Sequence, residues 1–359
     1  MKNMKNMKKT EILRIIQLGF IYAGCFLGAG YVSGQELWQF FGIFGKYGFL
    51  GMIISLILFF VFGYLVMTLS SKTKITRMDE IVIPFENKKL KSFVGFIQVF
   101  FITGIYIIMC AGAGALLNQL FDIHIITGSA LFSIAVLFMA LKGIKGVSDV
   151  FSLFVPPLVI GAVIIGMIAV FKNGFSFQDI SIYEASENPL ISNPIASAAV
   201  FVSYNFFASI GILAPISQKY NKKSEISGGI LCGCIFLAVI SFCILSAMNS
   251  VYESTQKQLP MLFIAKETNF IAGYIYAILL LGAMFGTSLS SIVAVCEYTK
   301  EKYSFNKKNT NILTIILSIA ACILSIAGFD KLINTVYPLC GIFGFFALIL
   351  IVVHYFKTK

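Results

Sequence analysis

The sequence has few charged residues for its length. Asp, Glu, Lys and Arg make up 12% of its 359 residues, whereas about a quarter of a soluble domain is charged. Hydrophobic residues account for 58%, and the mean hydropathy is +0.90. This composition excludes an ordinary soluble domain. The apolar runs reach about 20 residues or more, which predicts membrane-spanning helices and not the short alternating strands of a membrane barrel.

Histidine and tryptophan are also scarce, with two residues and one. His124 and His354 are predicted at opposite membrane faces, so they cannot share a metal. Cys232 and Cys234 are two residues apart and would point away from each other on a helix, which predicts packing and not a metal or redox pair. The sequence has no paired intramembrane carboxylates, no Gly-x-Ser-x-Gly and no phosphate-binding loop. We therefore expect no enzymatic activity and no cofactor, with sodium as the one candidate ion.

The net charge of +11 is distributed as in a membrane protein. We predict ten spans, at residues 12–41, 48–70, 93–120, 125–141, 147–171, 195–217, 226–249, 268–298, 311–328 and 332–355. With the N-terminus in the cytoplasm, the inner segments hold 22 Lys and Arg residues and the outer segments hold 5. Positive residues favour the cytoplasmic side, so both termini are predicted to be cytoplasmic. The expected partners are the lipid bilayer and a small-molecule solute, and not a nucleic acid.

The spans form two halves of nearly equal length. The predicted order is a cytoplasmic tail at 1–11, five spans over 12–171, an extracellular connector at 172–194, five spans over 195–355, and a cytoplasmic tail at 356–359. Because five is odd, the second half must enter the membrane from the opposite face. The predicted fold is an all-α integral membrane protein with ten transmembrane helices as a 5+5 inverted repeat, in which helices 1 and 6 are broken mid-membrane. Interrupted spans at matching positions indicate the binding site of a transporter.

The first interrupted span contains the sequence Gly28-Ala29-Gly30-Tyr31-Val32-Ser33-Gly34-Gln35-Glu36. Each glycine costs a helix roughly 1 kcal/mol relative to alanine. A break there would expose backbone carbonyls to a cation and N–H groups to an anion. The predicted solute-binding residues of this span are Gly28, Gly30, Ser33, Gly34 and Gln35. The same glycines could form packing faces in an unbroken helix, but packing does not explain Gln35 and Glu36.

Glu36 is the one acidic residue that we cannot assign to a loop. A carboxylate at membrane depth costs roughly 2.5 kcal/mol or more, which favours a functional role. It could carry a proton, bind a substrate amine or act at an outer gate. Alternatively, the helix re-forms after Gly34, and Glu36 in its first turn interacts with the helix dipole.

Three other spans carry polar residues near the membrane centre. In span 6, Tyr204, Asn205 and Ser209 are predicted to line the opposite wall of the site. The alternative is that Tyr204 and Asn205 form hydrogen bonds between helices. Span 3 offers Tyr106 as a weaker candidate for solute contact.

In span 8, Thr287, Ser290 and Ser291 share one helix face. Their hydroxyl oxygens would suit a sodium ion. Hydroxyls in a membrane helix also bond to carbonyls of their own preceding turn, so both interpretations stay open.

The motif Gly28–Glu36, followed by the aromatic-rich run Trp38–Phe41, resembles the YkvI-like family of bacterial membrane proteins. The resemblance extends over the ten-span layout, and it is weaker at Ser203–Phe207. It implies membership of the amino acid–polyamine–cation superfamily, which has the LeuT fold. That superfamily suggests amino-acid-like substrates with sodium or proton coupling, and it matches the span 8 hydroxyls to part of a sodium site. Some proton-coupled relatives have a lysine in span 5, which Val147–Phe171 lacks.

These features predict a secondary active transporter that works by alternating access. Its solute would be small and amino-acid-like or an amine, and its coupling ion would be sodium or a proton. The alternative, from another class, is a receptor or sensor of the same fold that binds a ligand without moving it, like a germinant receptor. A channel is less favoured, because no span has the continuous polar face of a pore.

Overall fold

In the computed structural model, every regular element of the described chain is a helix. The description covers residues 2–175, 193–220, 222–257, 259–327 and 329–358, with side chains for all of these except 2–10, 119, 144, 327, 329–340 and 342. The α-helices are α1 (Lys2–Gly24), α2 (Ala29–Ser33), α3 (Gln35–Phe40), α4 (Lys46–Thr73), α5 (Met78–Val82), α6 (Lys88–Phe121), α7 (Ile125–Ala140), α8 (Ile144–Asn173), α9 (Pro194–Ser217), α10 (Lys223–Ser250), α11 (Pro260–Thr268), α12 (Phe270–Tyr303), α13 (Lys307–Leu324) and α14 (Phe329–Lys357). Short 3₁₀ turns lie at Gly42–Phe44, Tyr252–Gln256 and Ser325–Ala327. Most of the predicted connector 172–194 lies outside the described residues.

Seven of these helices are long and apolar enough to cross a membrane, namely α4, α6, α8, α9, α10, α12 and α13. Helix α7 and the stretch Phe343–Lys357 of α14 are shorter apolar helices. Many large apolar side chains remain exposed on the outside of the bundle, such as Phe96 and Phe100 at 68% and 67%. Exposure of this kind is expected where lipid and not water is the solvent, so the protein is an all-helical membrane protein.

The predicted break in the first span lies earlier than expected. Helix α1 ends at Gly24, and residues 25–28 have no regular structure before α2 begins. The first part of the glycine-rich motif then forms the single helical turn α2. Gly28 is the N-cap of this turn and has an extended backbone conformation. A second interruption follows at Gly34, whose φ of 87° is a left-handed conformation that glycine adopts at little cost. The span is therefore divided into three helices.

The predicted break in span 6 is wrong for this structure. Helix α9 is continuous from Pro194 to Ser217. Its polar side chains bond to the preceding turn of the same helix instead of marking a break: Asn205 donates to the Phe201 carbonyl at 2.9 Å and Ser209 to the Phe206 carbonyl at 3.3 Å. Helix α8 likewise continues through Pro156 and Pro157.

One end of the bundle is tied together by polar contacts between connections that are distant in sequence. Arg14 of α1 donates to the Lys219 carbonyl at 2.6 Å and pairs with the buried Glu225 at 3.2 Å. Gln218 donates to the Ser70 carbonyl at the end of α4 at 2.7 Å. His354, near the end of α14, lies 2.9 Å from the carbonyl of Ile81 in α5. We call this the basic end of the bundle. It includes Arg14 of α1 and the last turns of α14 around His354.

Helix α5 is a short helix in the connection between α4 and α6. Its buried Asp79 accepts hydrogen bonds from Arg77 at 2.8 Å and from Tyr298 of α12 at 3.2 Å. A Cβ at Gly211 of α9 would lie 3.4 Å from the sulfur of Met78. Helix α5 thus lies at the basic end and contacts the last turns of α9 and α12.

Candidate functional site

The interruption after α1 leaves backbone oxygen atoms available. The amides of Phe26 and Leu27 both donate to the Ala23 carbonyl, and Gly28 donates to Phe26. In the part of the chain that the structure describes, no backbone amide donates to the carbonyls of Cys25 or Leu27. Two acceptors therefore lie at the break without a backbone hydrogen bond.

Helix α2 is held in place by the hydrogen bonds of two tyrosines. The Tyr31 hydroxyl lies 2.6 Å from Ser241 of α10, and Tyr276 of α12 donates to the Val32 carbonyl at 2.7 Å. Ser33 donates to the Gly30 carbonyl at 3.1 Å. The last two bonds satisfy backbone carbonyls that a continuous helix would pair internally, and the bonds from Ser241 and Tyr276 tie α2 to α10 and α12.

Glu36 lies in the first turn of α3 and is 5% exposed. Its Oε2 accepts a hydrogen bond from the Tyr204 hydroxyl of α9 at 2.9 Å. The side chain folds back over Gly30, where a Cβ would collide with the carboxylate and with Cγ. Gly30 is therefore required by the position of Glu36, and the carboxylate links the first span to α9.

Helix α12 presents its hydroxyls to the break in the first span. Thr287 lies beside Gly28, since a Cβ on that glycine would be 3.6 Å from Thr287 Oγ1. This hydroxyl is buried and, among the described residues, has no hydrogen-bond partner. Ser290 donates to the Thr287 carbonyl at 2.9 Å, which leaves the lone pairs of its oxygen available. Hydroxyl oxygens thus face the region of the free carbonyls.

These groups enclose a central cavity between the first span, α6, α9 and α12. It is lined by Cys25, Phe26, Gly28, Glu36, Ile105, Met109, Tyr204, Asn205, Ala208, Ser209, Ile212, Thr287, Ser290 and Ser291. The volume that the centre of a water molecule can occupy in this cavity is about 40 Å³. One water needs roughly 10–15 Å³ on that measure, so the cavity holds a few waters and must enlarge to admit a larger solute.

The structure brings eight of the residues predicted from sequence to this cavity: Gly28, Glu36, Tyr204, Asn205, Ser209, Thr287, Ser290 and Ser291. Five others lie outside its lining. Gly30 and Ser33 belong to the adjacent turn of α2, Gly34 packs against Met248, and Gln35 follows it.

Tyr106 is the fifth predicted residue outside the lining. Its hydroxyl contacts Ser133 and Ser318, at 3.1 and 3.2 Å. It therefore connects α6 to α7 and α13.

The cavity residues not predicted from sequence are mainly apolar. Ile105 and Met109 of α6 stand four residues apart, on a face that Tyr106 does not share. Ala208 and Ile212 of α9 are likewise spaced by four. Apolar residues in a hydrophobic span carry no distinguishing signal, although the helical spacing from Tyr204 to Ala208 to Ile212 could have indicated the last two.

A cluster suited to a transition metal is not present among the described residues, since no three His, Cys, Asp or Glu side chains converge there. The oxygen groups at the break are of a different kind. Neutral carbonyl and hydroxyl oxygens suit a hard monovalent cation.

Comparison with solved structures identifies the class of fold. A Na⁺-coupled sialic acid symporter, solved substrate-bound and outward-open, matches with a TM-score of 0.67 at 17% identity, over 92% of this chain and 76% of that chain. MhsT in complex with L-phenylalanine matches with 0.60 at 16%, over 90% and 87%. A manganese transporter of Eremococcus coleocola matches with 0.56 at 13%, over 97% and 78%. The chain thus shares the LeuT fold of membrane transporters.

Comparison of sequences finds relatives with a higher identity to this chain than these solved structures have. The chain is 27% identical over 336 residues to the uncharacterized membrane protein YkvI of Bacillus subtilis, which covers 90% of this chain and 91% of YkvI. It is 22% identical over 337 residues to the B. subtilis protein YyaD, covering 94% and 95%. The chain is homologous to these two proteins, which confirms the resemblance to YkvI-like proteins inferred from its first motif. No model of a known protein family matches it.

Proposed function

We propose that the protein is a secondary active transporter that moves a small amino-acid-like or amine solute by alternating access. The observation that carries this proposal is the central cavity, in which an interrupted span meets polar side chains of α9 and α12. At the basic end α5 is bonded to α12 through Asp79 and Tyr298, and in the outer part of the first span Trp38 packs on Tyr252. A polar cavity inside a packed bundle suits a carrier better than an open pore.

The proposed architecture is the ten-span, five-plus-five inverted repeat, with repeats at 12–171 and 195–355. The LeuT fold of the structural relatives supports it. The basic end would face the cytoplasm of a bacterial plasma membrane, with both termini, because Lys and Arg concentrate in its connections.

The polar groups of the cavity favour a small solute that carries an amine. Glu36 supplies a carboxylate, and Tyr204, Asn205 and Ser209 supply neutral donors and acceptors. An ammonium group would take the carboxylate as its partner. The apolar residues Ile105, Met109 and Ile212 would contact the rest of the solute. Orientation by a few polar groups within an apolar lining is usual for such sites.

Sodium is the coupling ion that the oxygen groups at the break fit. The carbonyls of Cys25 and Leu27, with the hydroxyls of Thr287, Ser290 and Ser291, would hold it. The buried Thr287 oxygen without a partner supports this fit, since an unsatisfied buried hydroxyl is costly. Bound sodium would contribute positive charge and brace α12 against the first span. A proton carried by Glu36 is the second coupling candidate.

Replacing Thr287 by alanine is expected to remove most of the sodium-induced rise in melting temperature, because a ligand oxygen is lost. The matched control is Thr299→Ala on the same helix, whose hydroxyl already bonds to the carbonyls of Val295 and Cys296. The measurement is a thermal-shift titration with NaCl against choline chloride at equal ionic strength. A sodium response equal in both variants would remove Thr287 from the ion site.

The function itself is tested by a thermal-shift screen of purified protein against amino acids and amines, with and without sodium. A bound ligand raises apparent stability by mass action. The compound that stabilises most is then radiolabelled and followed into liposomes that contain only this chain. Uptake driven by a sodium or proton gradient is expected. Binding without flux would instead indicate a receptor.

A further inference from the structure

A second cavity lies at the basic end, apart from the central one. It is enclosed by the α7–α8 connection, the last turns of α12 and the first turns of α13. On the same measure it has a volume of about 280 Å³, against about 40 Å³ for the central cavity. It is large enough for a polar group of several atoms, and the proposed transport cycle does not use it.

Three lysines from three separate elements converge on this cavity. Lys142 comes from the α7–α8 connection, Lys300 from α12 and Lys307 from the start of α13. The one acidic residue in the described lining, Glu297, pairs with Lys300 at 3.5 Å. Two positive charges remain in excess, and lysine ammonium groups bind phosphate as point charges. The cavity is therefore complementary to an anion.

Exposed apolar residues line or adjoin the cavity. Leu141 belongs to its lining and is 46% exposed. Asn311 also lines it, and Ile315, one helical turn further along α13, is 44% exposed. Helix α13 is the least buried of the spanning helices, with 17% of its apolar window inside the bundle. An anion that carries apolar chains would thus place its charged group among the lysines and its chains against the exposed apolar residues.

We propose that this α12–α13 cavity binds the headgroup of an anionic membrane phospholipid. The phosphate lies among Lys142, Lys300 and Lys307, and the acyl chains run along the exposed face of α13. Basic pockets between helices on the cytoplasmic side are recognised headgroup sites. The lipid would brace the end of α12, the helix whose centre carries Thr287. The inference requires only that the chain spans a membrane, so it stands independently of transport.

The test compares the full-length chain with the variant Lys142→Gln/Lys300→Gln/Lys307→Gln. Native mass spectrometry measures the lipid retained from mixed phosphatidylglycerol and phosphatidylcholine, and melting temperature is measured in nanodiscs of each lipid. The matched control is Lys89→Gln/Lys219→Gln/Lys223→Gln, which removes three exposed lysines outside the cavity. We expect retained phosphatidylglycerol to fall at least tenfold in the cavity variant and to be unchanged in the control.

Two further arms keep the result decisive. Lys142→Gln alone changes an exposed connection and gives a folded comparison should the triple variant be unstable, and we expect an intermediate loss. Equal loss in the control and cavity variants would show general surface attraction and overturn the proposal. Equal stabilisation of the detergent-solubilised protein by inorganic phosphate would assign the cavity to a soluble anion and would also overturn it.

Discussion

Replacing Glu36 by glutamine is expected to lower uptake of the solute found in the thermal-shift screen about tenfold. Glutamine keeps the shape of the side chain but removes its charge. The hydrogen bond from Tyr204 to the carboxylate then becomes a neutral one, and hydrogen bonds to charged groups contribute roughly 1–2 kcal/mol more than neutral ones. An ammonium group on the solute would lose its partner as well. The measurement is initial uptake into liposomes at several pH values.

The control for this change is Glu267→Gln, which removes an exposed carboxylate outside the cavity. Its uptake is expected to equal that of the unchanged protein. Tyr204→Phe should reduce uptake less than Glu36→Gln, because the carboxylate remains. Unchanged uptake and an unchanged pH profile in Glu36→Gln would exclude Glu36 from the mechanism.

The hydrophobic pattern was enough to predict an all-helical membrane protein, and the first motif was enough to indicate its fold. Span 4, for example, was predicted at 125–141, and α7 covers Ile125–Ala140. An apolar run of this length can form all of its backbone hydrogen bonds in lipid only as a helix. The length of the run therefore determines its secondary structure. The hydroxyls of Thr287, Ser290 and Ser291 also reach the central cavity together, because their spacing fixes a common face once the helix is given.

The local behaviour of polar residues could not be predicted in the same way. Asn205 and Ser209 indicated a break in α9, yet they bond within their own helix. Tyr106 indicated the solute site, yet its hydroxyl joins two serines of other helices. In each case the short-range pattern permits two partners for one polar group, and the choice depends on neighbours that are distant in sequence. The position of Glu36 over Gly30 is likewise set by packing against α9.

Replacing Gly344 by alanine is expected to lower both the melting temperature and solute uptake. Gly344 of α14 packs directly on the backbone of α9. An added Cβ would collide with the Ser203 carbonyl oxygen and lie 2.6 Å from its carbon and 3.1 Å from the Tyr204 nitrogen. Backbone atoms cannot rotate away, so α14 must move off α9, and such overpacking costs roughly 1–3 kcal/mol. The shift falls beside Tyr204, whose hydroxyl contacts Glu36, so the central cavity should be disturbed with it.

The control, Gly341→Ala, lies three residues earlier on the same helix. Among the described residues, its Cβ would meet a methyl of Val200, at 3.0 Å, and no other atom within 4 Å. That side chain can turn aside. Alanine also favours a helix over glycine by roughly 1 kcal/mol, so this variant should be as stable as the unchanged protein or more so. Thermal unfolding in detergent compares the two variants, and liposome uptake of the screened solute follows. Equal melting temperatures would show that α14 can accommodate a methyl group at 344, and that close backbone contact with α9 does not hold Tyr204 against Glu36.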